Sequence, residues 1–309
     1  MHPIVTASPT VAARSTRKRR SLRAQLPPWL FLAPFVIAFT FVFLAPIAYA
    51  IVMSLFRTQL VGGTQFVGID NYVTVFTDAQ LWRGVFNVIL LLFIQVPIML
   101  AISVFLAIVV DSGRLHGVRF FRIAVFLPYA VPAVVATLIW GFMYSTRYGL
   151  IGEINRSLGS DLPSPLAHEF VLASIGNIVT WEYIGYNMLI FYAALRVIDR
   201  SLYEAAAIDG AGELRIARAI KLPAMQGAFL VTTVFSIIGV FQLFSEPQIL
   251  QSLAPNAIST YFTPNMYAYN LSFAGQQLNY SAAVAIVVGL VTVLFAYTVQ
   301  ARAERRSAQ

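Results

Sequence analysis

The sequence contains no cysteine, and only 11% of its 309 residues are charged. Without cysteine the chain forms no disulfide, no thiolate nucleophile and no cysteine-ligated metal site. A soluble protein of this length needs far more charge to cover its surface, yet 59% of these residues are hydrophobic. The composition therefore predicts an integral membrane protein.

Other functional classes are disfavoured by what else is missing. The sequence has no GxxxxGK[ST] phosphate loop, so we expect the chain to bind neither ATP nor another cofactor itself. The histidines lie outside the predicted spans, which disfavours a serine-type intramembrane protease. A proton- or sodium-coupled carrier would need mid-membrane ionisable groups and inverted repeats, and neither is evident. These two classes remain the alternative interpretations.

Six long apolar runs are predicted to be transmembrane helices. A hydrocarbon core about 30 Å thick needs roughly 20 apolar residues in a helix. None of the runs shows the period-two alternation of a barrel strand, so the predicted fold class is an all-α membrane protein with six transmembrane helices. The predicted spans are Trp29–Phe56, Phe86–Val110, Phe120–Tyr144, Phe170–Leu195, Met225–Phe244 and Tyr280–Val299. Kinks are predicted at Pro34, Pro46, Pro97, Pro128 and Pro132.

The basic residues are distributed unevenly between the loops. Most lie in the N-terminal segment, the second-to-third and fourth-to-fifth loops and the tail: Arg14, Arg17, Lys18, Arg19, Arg20, Arg23, Arg114, Arg119, Arg122, Arg196, Arg200, Arg215, Arg218, Lys221, Arg302, Arg305 and Arg306. The alternate loops contain Arg57, Arg83, Arg147 and Arg156. Because Lys and Arg concentrate in cytoplasmic loops, both termini are predicted to be cytoplasmic. The net charge of +8 thus indicates topology rather than nucleic-acid binding.

The first helix has a competing interpretation. Arg19-Arg20 before an apolar run, with Ala48-Tyr49-Ala50 after it, is typical of a cleaved signal sequence. The apolar run continues to Leu55 and more spans follow, which favours an uncleaved helix. The predicted organisation is a basic cytoplasmic segment (1–28), a transmembrane domain (29–299) and a cytoplasmic tail (300–309).

The loop between the fourth and fifth spans, residues 201–223, has a distinctive pattern. Ser201 and Glu204 match a capping box for a helix that runs through Ile208. Gly210 breaks that helix, since glycine readily adopts the left-handed conformation. A helical pattern resumes after the break, and Pro223 suits the first turn of the next span. We expect a rigid helical elbow suited to docking on a protein.

At these residues the chain resembles a known family. Glu204-Ala205-Ala206, Gly210 and Ile220-Lys221-Leu222-Pro223 match the EAA motif of permease subunits of binding-protein-dependent ABC importers. The longer run Glu204–Ala211 resembles the carbohydrate-uptake branch, which includes maltose and glycerol-3-phosphate permeases. Further similarity lies in Phe66–Tyr72 (first external loop), Phe126–Trp140 (third span) and Trp181–Leu195. A capping box, a glycine turn and a basic helix could also form an ordinary cytoplasmic loop.

The resemblance implies a type I, MetI-like importer permease fold in the bacterial inner membrane, and transport by alternating access. It implies that the elbow is the coupling helix, which sits in a cleft of an ATPase. The coupling residues would be Glu204, Ala205, Ala206, Asp209, Gly210, Ala211, Ile220, Leu222 and Pro223. The implied partners are a homologous second permease, two ATP-binding cassette ATPases that hold Mg-ATP, an extracytoplasmic solute-binding protein and membrane lipid.

Polar residues within the fourth and fifth spans are candidates for a solute pathway, because such residues usually face a cavity or a partner helix. The candidates are Trp181, Tyr183, Tyr186, Asn187, Gln242 and Glu246. Aromatic faces with amide and carboxylate groups suit a sugar. The alternative is that these side chains hold helices together, or that Glu182 and Glu246 lie at the outer interface in contact with water.

The resemblance also bears on the solute. Tyr186 matches a sugar-contacting position of maltose-type permeases. Other contact positions differ and disfavour maltose itself: Val179, Tyr183, Gly239, Val240 and Leu243. A disaccharide, an oligosaccharide, a glycoside and a glycerol phosphodiester all remain compatible with the sequence.

Overall fold

The structure is a computed structural model that describes residues 26–59 and 61–307. The basic residues from Arg14 to Arg23 lie outside the described residues, as does the start of the predicted cytoplasmic segment. The chain divides into two compact units, residues 1–49 and 50–309.

The first unit is helical where the structure describes it. Helix α1 spans Leu26–Phe39, a π turn spans Thr40–Leu44, and α2 spans Ala45–Ser54 across the boundary between the units. Leu30–Ser54 is an apolar helical stretch of 25 residues, long enough to cross a membrane. This agrees with the first predicted span, except that Phe56 begins a strand.

The second unit contains one short hairpin and otherwise helices. Its elements in chain order are β1 (Phe56–Gln59), β2 (Gly63–Phe66), α3 (Asp70–Thr77), α4 (Ala79–Leu90), a π turn (Leu91–Gln95), α5 (Val96–Asp111), α6 (Val118–Phe126), a 3-10 turn (Leu127–Ala130), α7 (Ala133–Met143), α8 (Leu150–Leu158), α9 (Val171–Leu195), α10 (Arg200–Ile208), α11 (Glu213–Ile216), a π turn (Ala217–Lys221), α12 (Leu222–Ala224), α13 (Gln226–Phe241), α14 (Ser245–Gln251), α15 (Pro264–Phe273) and α16 (Leu278–Ser307). Helix α16 thus extends into the predicted tail.

Among the described residues, four helical stretches are long and apolar enough to cross a membrane. They are Leu30–Ser54, Ala79–Asp111, Gln226–Gln251 and Leu278–Ala303, which correspond to the first, second, fifth and sixth predicted spans. The fourth predicted span is α9, whose 25 residues reach about 37 Å. Its polar side chains lower its hydropathy, so α9 is identified by its length rather than by its composition.

The third predicted span bends at Pro132, as predicted, but the bend is a break between two helices rather than a kink in one. Val118–Ala130 and Ala133–Met143 meet at an angle of 97°, and up to five apolar spans result if the pair counts as one. Val131 between them is extended. Pro132 explains the break, because proline disfavours a helical conformation at the preceding residue.

The π turns have a common cause in proline. In each one, the residue just before a proline donates its amide to the carbonyl five residues earlier. Proline has no amide hydrogen and its ring crowds the carbonyl four residues earlier, so a wider turn relieves both problems. The prolines concerned are Pro46, Pro97 and Pro223.

The core of the second unit lies between α5 and α9. Leu100, Val104, Met188 and Phe191 are buried in one apolar cluster that also includes residues of α13. The Oγ of Ser103 donates a hydrogen bond of 3.0 Å to the carbonyl of Ile184, which joins the two helices. These two helices form the scaffold on which the site is built.

The hairpin of β1 and β2 is not predicted by the sequence pattern. Its strands are antiparallel, with Phe56 opposite Phe66. Asn71 anchors it, because the buried Nδ2 donates to the carbonyls of Ser54 (2.8 Å) and Phe56 (2.7 Å). The segment Phe66–Tyr72 therefore contains the residue that holds the hairpin to the end of α2.

Candidate functional site

A cavity of about 490 Å³ lies within the second unit, beside α9, α13 and α14. The polar and aromatic residues of its wall are Gln95, Tyr129, Tyr183, Tyr186, Asn187, Phe235, Ser236, Gln242, Phe244, Ser245 and Glu246. Its apolar wall includes Leu91, Met99, Val179, Val240 and Leu243. A volume of this size is within the range of small-molecule sites in proteins.

One side of the cavity is an aromatic wall. The ring of Tyr186 stacks on that of Tyr129 at 4.8 Å between centroids, and Tyr183 meets Tyr129 edge-on at 5.7 Å. These are the preferred geometries of aromatic pairs. Tyr129 and Tyr183 are partly exposed, at 42% and 41%, so their ring surface is open to a solute.

Gly185 brings the two halves of this wall together. A Cβ at this position would overlap the carbonyl oxygen of Val125 and would lie 2.8 Å from the Cα of Phe126. Only glycine therefore allows α6 to approach α9 this closely. The approach places the 3-10 turn after α6, with Tyr129, directly against Tyr186.

Another side of the cavity is a helix break. Helix α13 ends at Phe241 and α14 begins at Ser245, which exposes Gln242 between them. Two backbone carbonyls at the break accept hydrogen bonds from side chains instead of from helix amides. Thr263 Oγ1 donates to Leu243 O at 2.9 Å, and Asn265 Nδ2 donates to Phe241 O at 3.1 Å. Irregular backbone is stable at membrane depth only when its polar groups are satisfied in this way.

Two carboxyl groups meet beside this break. Glu182 of α9 and Glu246 of α14 are only 4% and 7% exposed, so the expectation that they contact water at the outer interface is wrong. The two side chains lie close enough for their carboxyl groups to interact. Glu246 lines the cavity, whereas the Oε1 of Glu182 has no hydrogen-bond partner among the described residues.

The structure brings together most of the predicted pathway residues. Those that line the cavity are Tyr183, Tyr186, Asn187, Gln242 and Glu246. The positions that differ from maltose-type permeases line it too: Val179, Gly239, Val240 and Leu243. Trp181 does not, because its ring lies against Trp140 at 6.0 Å. Asn187 is buried, and its amide donates to the carbonyl of Tyr183 at 3.0 Å.

Sequence reasoning missed Gln95, Met99 and Tyr129 as lining residues. Gln95 ends a π turn and donates to Thr180 Oγ1 at 3.1 Å, so its position depends on a helix distortion. Tyr129 lies between Pro128 and Pro132, and this pair of prolines was the available signal for a break.

The loop between α9 and α13 forms the expected elbow of two short helices and a turn. Gly210 has φ +76°, and the amides of Gly210 and Ala211 donate to the carbonyls of Ala207 (3.0 Å) and Ala206 (2.9 Å). These two bonds define a Schellman motif with Gly210 at the left-handed position. Gly210 therefore ends α10, because these two hydrogen bonds reach back to Ala206 and Ala207.

The start of the elbow differs from the predicted capping box. Asp199, not Ser201, is the N-cap of α10, and its carboxylate accepts the amide of Ser201 at 2.9 Å. That hydrogen bond lowers the pKa of Asp199 below its ordinary value. Ser201 is already inside the helix, because Asp199 supplies a stronger charged acceptor two residues earlier.

The elbow presents both polar and apolar groups to its surroundings. Glu204, Ala205, Asp209, Gly210 and Pro223 are exposed, and the other predicted coupling residues are half-buried: Ala206, Ala211, Ile220 and Leu222. Large apolar side chains are exposed beside them, and the sequence analysis did not single these out as docking residues: Leu202 (53%), Ile208 (87%) and Leu214 (64%). Exposed apolar groups rimmed by charge are typical of a protein-docking surface.

The other face of the elbow is fixed to α5. Lys221 Nζ lies 2.6 Å from Asp111 Oδ2, and both side chains are buried. The ring of Tyr203 lies 5.4 Å from the same ammonium group. Burial and the nearby charge of Asp111 raise the pKa of Tyr203, so its phenol stays neutral.

Comparison with known proteins gives consistent relatives. The family described as "Binding-protein-dependent transport system inner membrane component" matches residues 119–309. The chain is 30% identical to the lactose transport system permease protein LacF of Rhizobium radiobacter over 92% of this chain and 96% of the relative. It is 33% identical to the diacetylchitobiose uptake system permease protein NgcF of Streptomyces coelicolor, over 75% of this chain and 69% of the relative. The sn-glycerol-3-phosphate permease protein UgpA of Escherichia coli is 32% identical over 89% and 93%.

The fold is similar to that of a solved transporter. The chain superposes on a bacterial ABC transporter involved in the import of the polysaccharide alginate, with a TM-score of 0.80 at 19% identity. The match covers 92% of this chain and 96% of that chain. The predicted importer-permease fold is therefore confirmed. The chain belongs to the family of inner-membrane components of binding-protein-dependent transport systems, and it is a permease subunit of an ABC importer rather than an enzyme.

Proposed function

We propose that this subunit imports a neutral saccharide through the cavity lined by Tyr129, Tyr183 and Tyr186. The aromatic wall beside Gln242 and Glu246 is the observation that carries the proposal. Aromatic faces stack on the C–H faces of a sugar, while amide and carboxylate oxygens accept its hydroxyl protons. Relatives named for lactose and diacetylchitobiose permeases support the same solute class.

The charges in the wall bear on the choice between possible solutes. The described residues that line the cavity include no Lys, Arg or His, so a phosphate or carboxylate would enter it without a compensating charge. A neutral di- or oligosaccharide therefore fits this wall better than an anion. The sn-glycerol-3-phosphate relative shows that the family also includes a permease named for a phosphate ester.

The elbow is the docking site for an ATPase subunit. Its exposed side chains Leu202, Ile208 and Leu214 provide apolar contact, and Glu204 and Asp209 provide charge. Burial of a side chain of this size contributes about 1.5–3 kcal/mol. Two such ATPases bind and hydrolyse Mg-ATP, and this chain binds neither ATP nor another cofactor.

The remaining partners are proposed from the family to which the chain belongs. Its wall in this chain is one side of a shared space, which a homologous second permease completes. An extracytoplasmic solute-binding protein delivers the saccharide, and the apolar helices contact lipid. Both termini and the elbow face the cytoplasm. Closure of the ATPases moves the elbow, and the helices alternate between outward and inward access.

Crosslinking tests this assignment. Because the chain has no cysteine, Ile208→Cys gives it a single thiol on the elbow. Leu158→Cys is the matched control, since Leu158 is also an exposed helical residue (75%) but lies in α8, on the proposed outer side. In membranes that contain the assembled importer, Ile208→Cys should crosslink to the ATPase and Leu158→Cys should not. Equal crosslinking, or none from Ile208→Cys, would refute the docking assignment.

A further inference from the structure

The ion pair of Asp111 and Lys221 is unlike the other ion pairs among the described residues. The side chains of Lys221 and Asp111 are 6% and 7% exposed, whereas those of Arg114–Glu213 and Arg156–Glu153 are at least 60% exposed. Exposed pairs are screened by water and hold their partners weakly. Separating the two charges of a buried pair is costly in free energy, because each charge is then left uncompensated in a region of low dielectric.

This pair joins the elbow to a helix that is distant in sequence. Lys221 ends the π turn of the elbow, and Asp111 ends α5. Tyr203 of α10 covers the ammonium group, so both arms of the elbow meet α5 at one point. The elbow's other ion pair among the described residues, Arg114–Glu213, is exposed to solvent.

Helix α5 leads from this point to the cavity. Met99 of α5 lines the cavity, and about 18 Å of helix separates it from Asp111. Along this length α5 is fixed to α9 by apolar packing and by the Ser103–Ile184 hydrogen bond. Helix α5 therefore connects Asp111 to the cavity wall without a break.

We propose that the Asp111–Lys221 pair, with Tyr203 over it, is the link that makes α5 move with the elbow during transport. These are positioning residues, because they act on the solute only through α5 and α9. The proposal rests on the assignment of the elbow as the ATPase-docking element. The competing role for the pair is a folding anchor that has no part in motion.

Distance measurements in the assembled importer test the link. Spin labels are placed at Ser112→Cys and Gly212→Cys, on α5 and the elbow, with cysteines of the partner chains replaced. The importer is measured without nucleotide and trapped with ATP and vanadate. We expect the interspin distance to be the same in both states, because the link holds the two labels together. If the interspin distance shifts by more than about 2 Å while Asp111 and Lys221 are unsubstituted, the proposed link is wrong. Helix shifts in switching proteins are of this size.

Variants then separate the link from a folding role. Replacing both residues (Asp111→Asn with Lys221→Met) removes both charges and avoids an unpaired buried charge, so this variant should assemble even where a single substitution does not. We expect its interspin distance to broaden and shift in the trapped state. Glu213→Gln removes only the exposed pair with Arg114 and should leave the distance unchanged. The exchanged pair, Asp111→Lys with Lys221→Asp, should restore the distance.

The possible failures are distinguishable. If the doubly neutral variant keeps the same narrow distance in both states, the pair is a folding anchor only and the proposal is wrong. If Glu213→Gln broadens the distance as much as the double variant, the buried pair is not the link. If Ile208→Cys fails to crosslink to the ATPase, the docking assignment fails first, whatever the distances show.

Discussion

The ring of Tyr186 lies nearly parallel to the ring of Tyr129, with 16° between their planes. One belongs to α9 and the other to the turn between two helices bent by 97°, so the stack depends on a helix break. Aromatic pairs of this kind contribute about 0.5–1.5 kcal/mol beyond their buried area. The same stack forms the wall of the cavity.

The first prediction concerns this wall. Tyr186→Ala and Gln242→Ala should reduce saccharide uptake while receptor-stimulated ATP hydrolysis continues. Loss of one hydrogen bond costs about 0.5–1.5 kcal/mol, or roughly two- to tenfold, and loss of the ring should cost more. Uptake and hydrolysis are measured on the same reconstituted vesicles. Trp181→Phe is the control, because Trp181 lies outside the cavity. Parallel loss of uptake and hydrolysis would indicate a packing role instead.

The second prediction concerns the elbow turn. Gly210→Val should weaken ATPase docking and abolish uptake, because a side chain with a Cβ opposes φ +76° by about 1–2 kcal/mol. Gly212→Ser is the matched control: Gly212 is the N-cap of α11 with φ −73°, where serine is favoured, and a Cβ there meets nothing within 4 Å. Glu204→Lys should also abolish uptake without preventing insertion. Co-purification of the ATPase and uptake in cells give the readouts, and normal uptake in Gly210→Val would contradict the coupling role.

The third prediction concerns the approach of α6 to α9. Gly185→Ala should lower the melting temperature of the purified importer, because its Cβ overlaps the backbone of Val125. Overpacking of this kind costs typically about 1–3 kcal/mol. Gly289→Ala in α16 is the control, since a Cβ there meets nothing within 4 Å. An unchanged melting temperature for Gly185→Ala would show that the two helices can move apart at no cost.

The sequence predicted more of the elbow than of the cavity. The elbow is local, so Gly210 and Pro223 specify its turn and its exit by their own backbone preferences. The capping residue was misassigned because Asp199 and Ser201 are both good N-caps, and only the structure shows which one accepts an amide. The cavity depends on residues far apart in sequence.

Three features of the cavity could not be obtained from periodicity. Tyr129 reaches it through the break at Pro132, and Gln95 reaches it through a π turn. Glu182 and Glu246 approach each other only because α13 stops at Phe241. Helical periodicity assumes unbroken helices, so it can place Tyr183, Tyr186 and Asn187 on one face of α9 but cannot find the groups that breaks bring to them.

The fourth prediction concerns orientation. Cysteines introduced at Ser112 and Gly212 should react with a membrane-impermeant thiol reagent only after the cells are permeabilised, because arginine-rich loops stay in the cytoplasm. Leu158→Cys should react in intact cells, since α8 is proposed to lie outside. Labelling of Gly212→Cys in intact cells would show that the orientation is opposite to the predicted one.

An uptake assay that identifies the energy source of transport tests the central claim most directly. Vesicles reconstituted with this chain, its partner permease and the ATPases are supplied with the solute-binding protein and radiolabelled lactose or diacetylchitobiose. Uptake should require ATP on the ATPase side and the binding protein on the other, and should be unaffected when proton and sodium gradients are dissipated. Uptake that proceeds without ATP and collapses with an ion gradient would contradict the account and identify a coupled carrier.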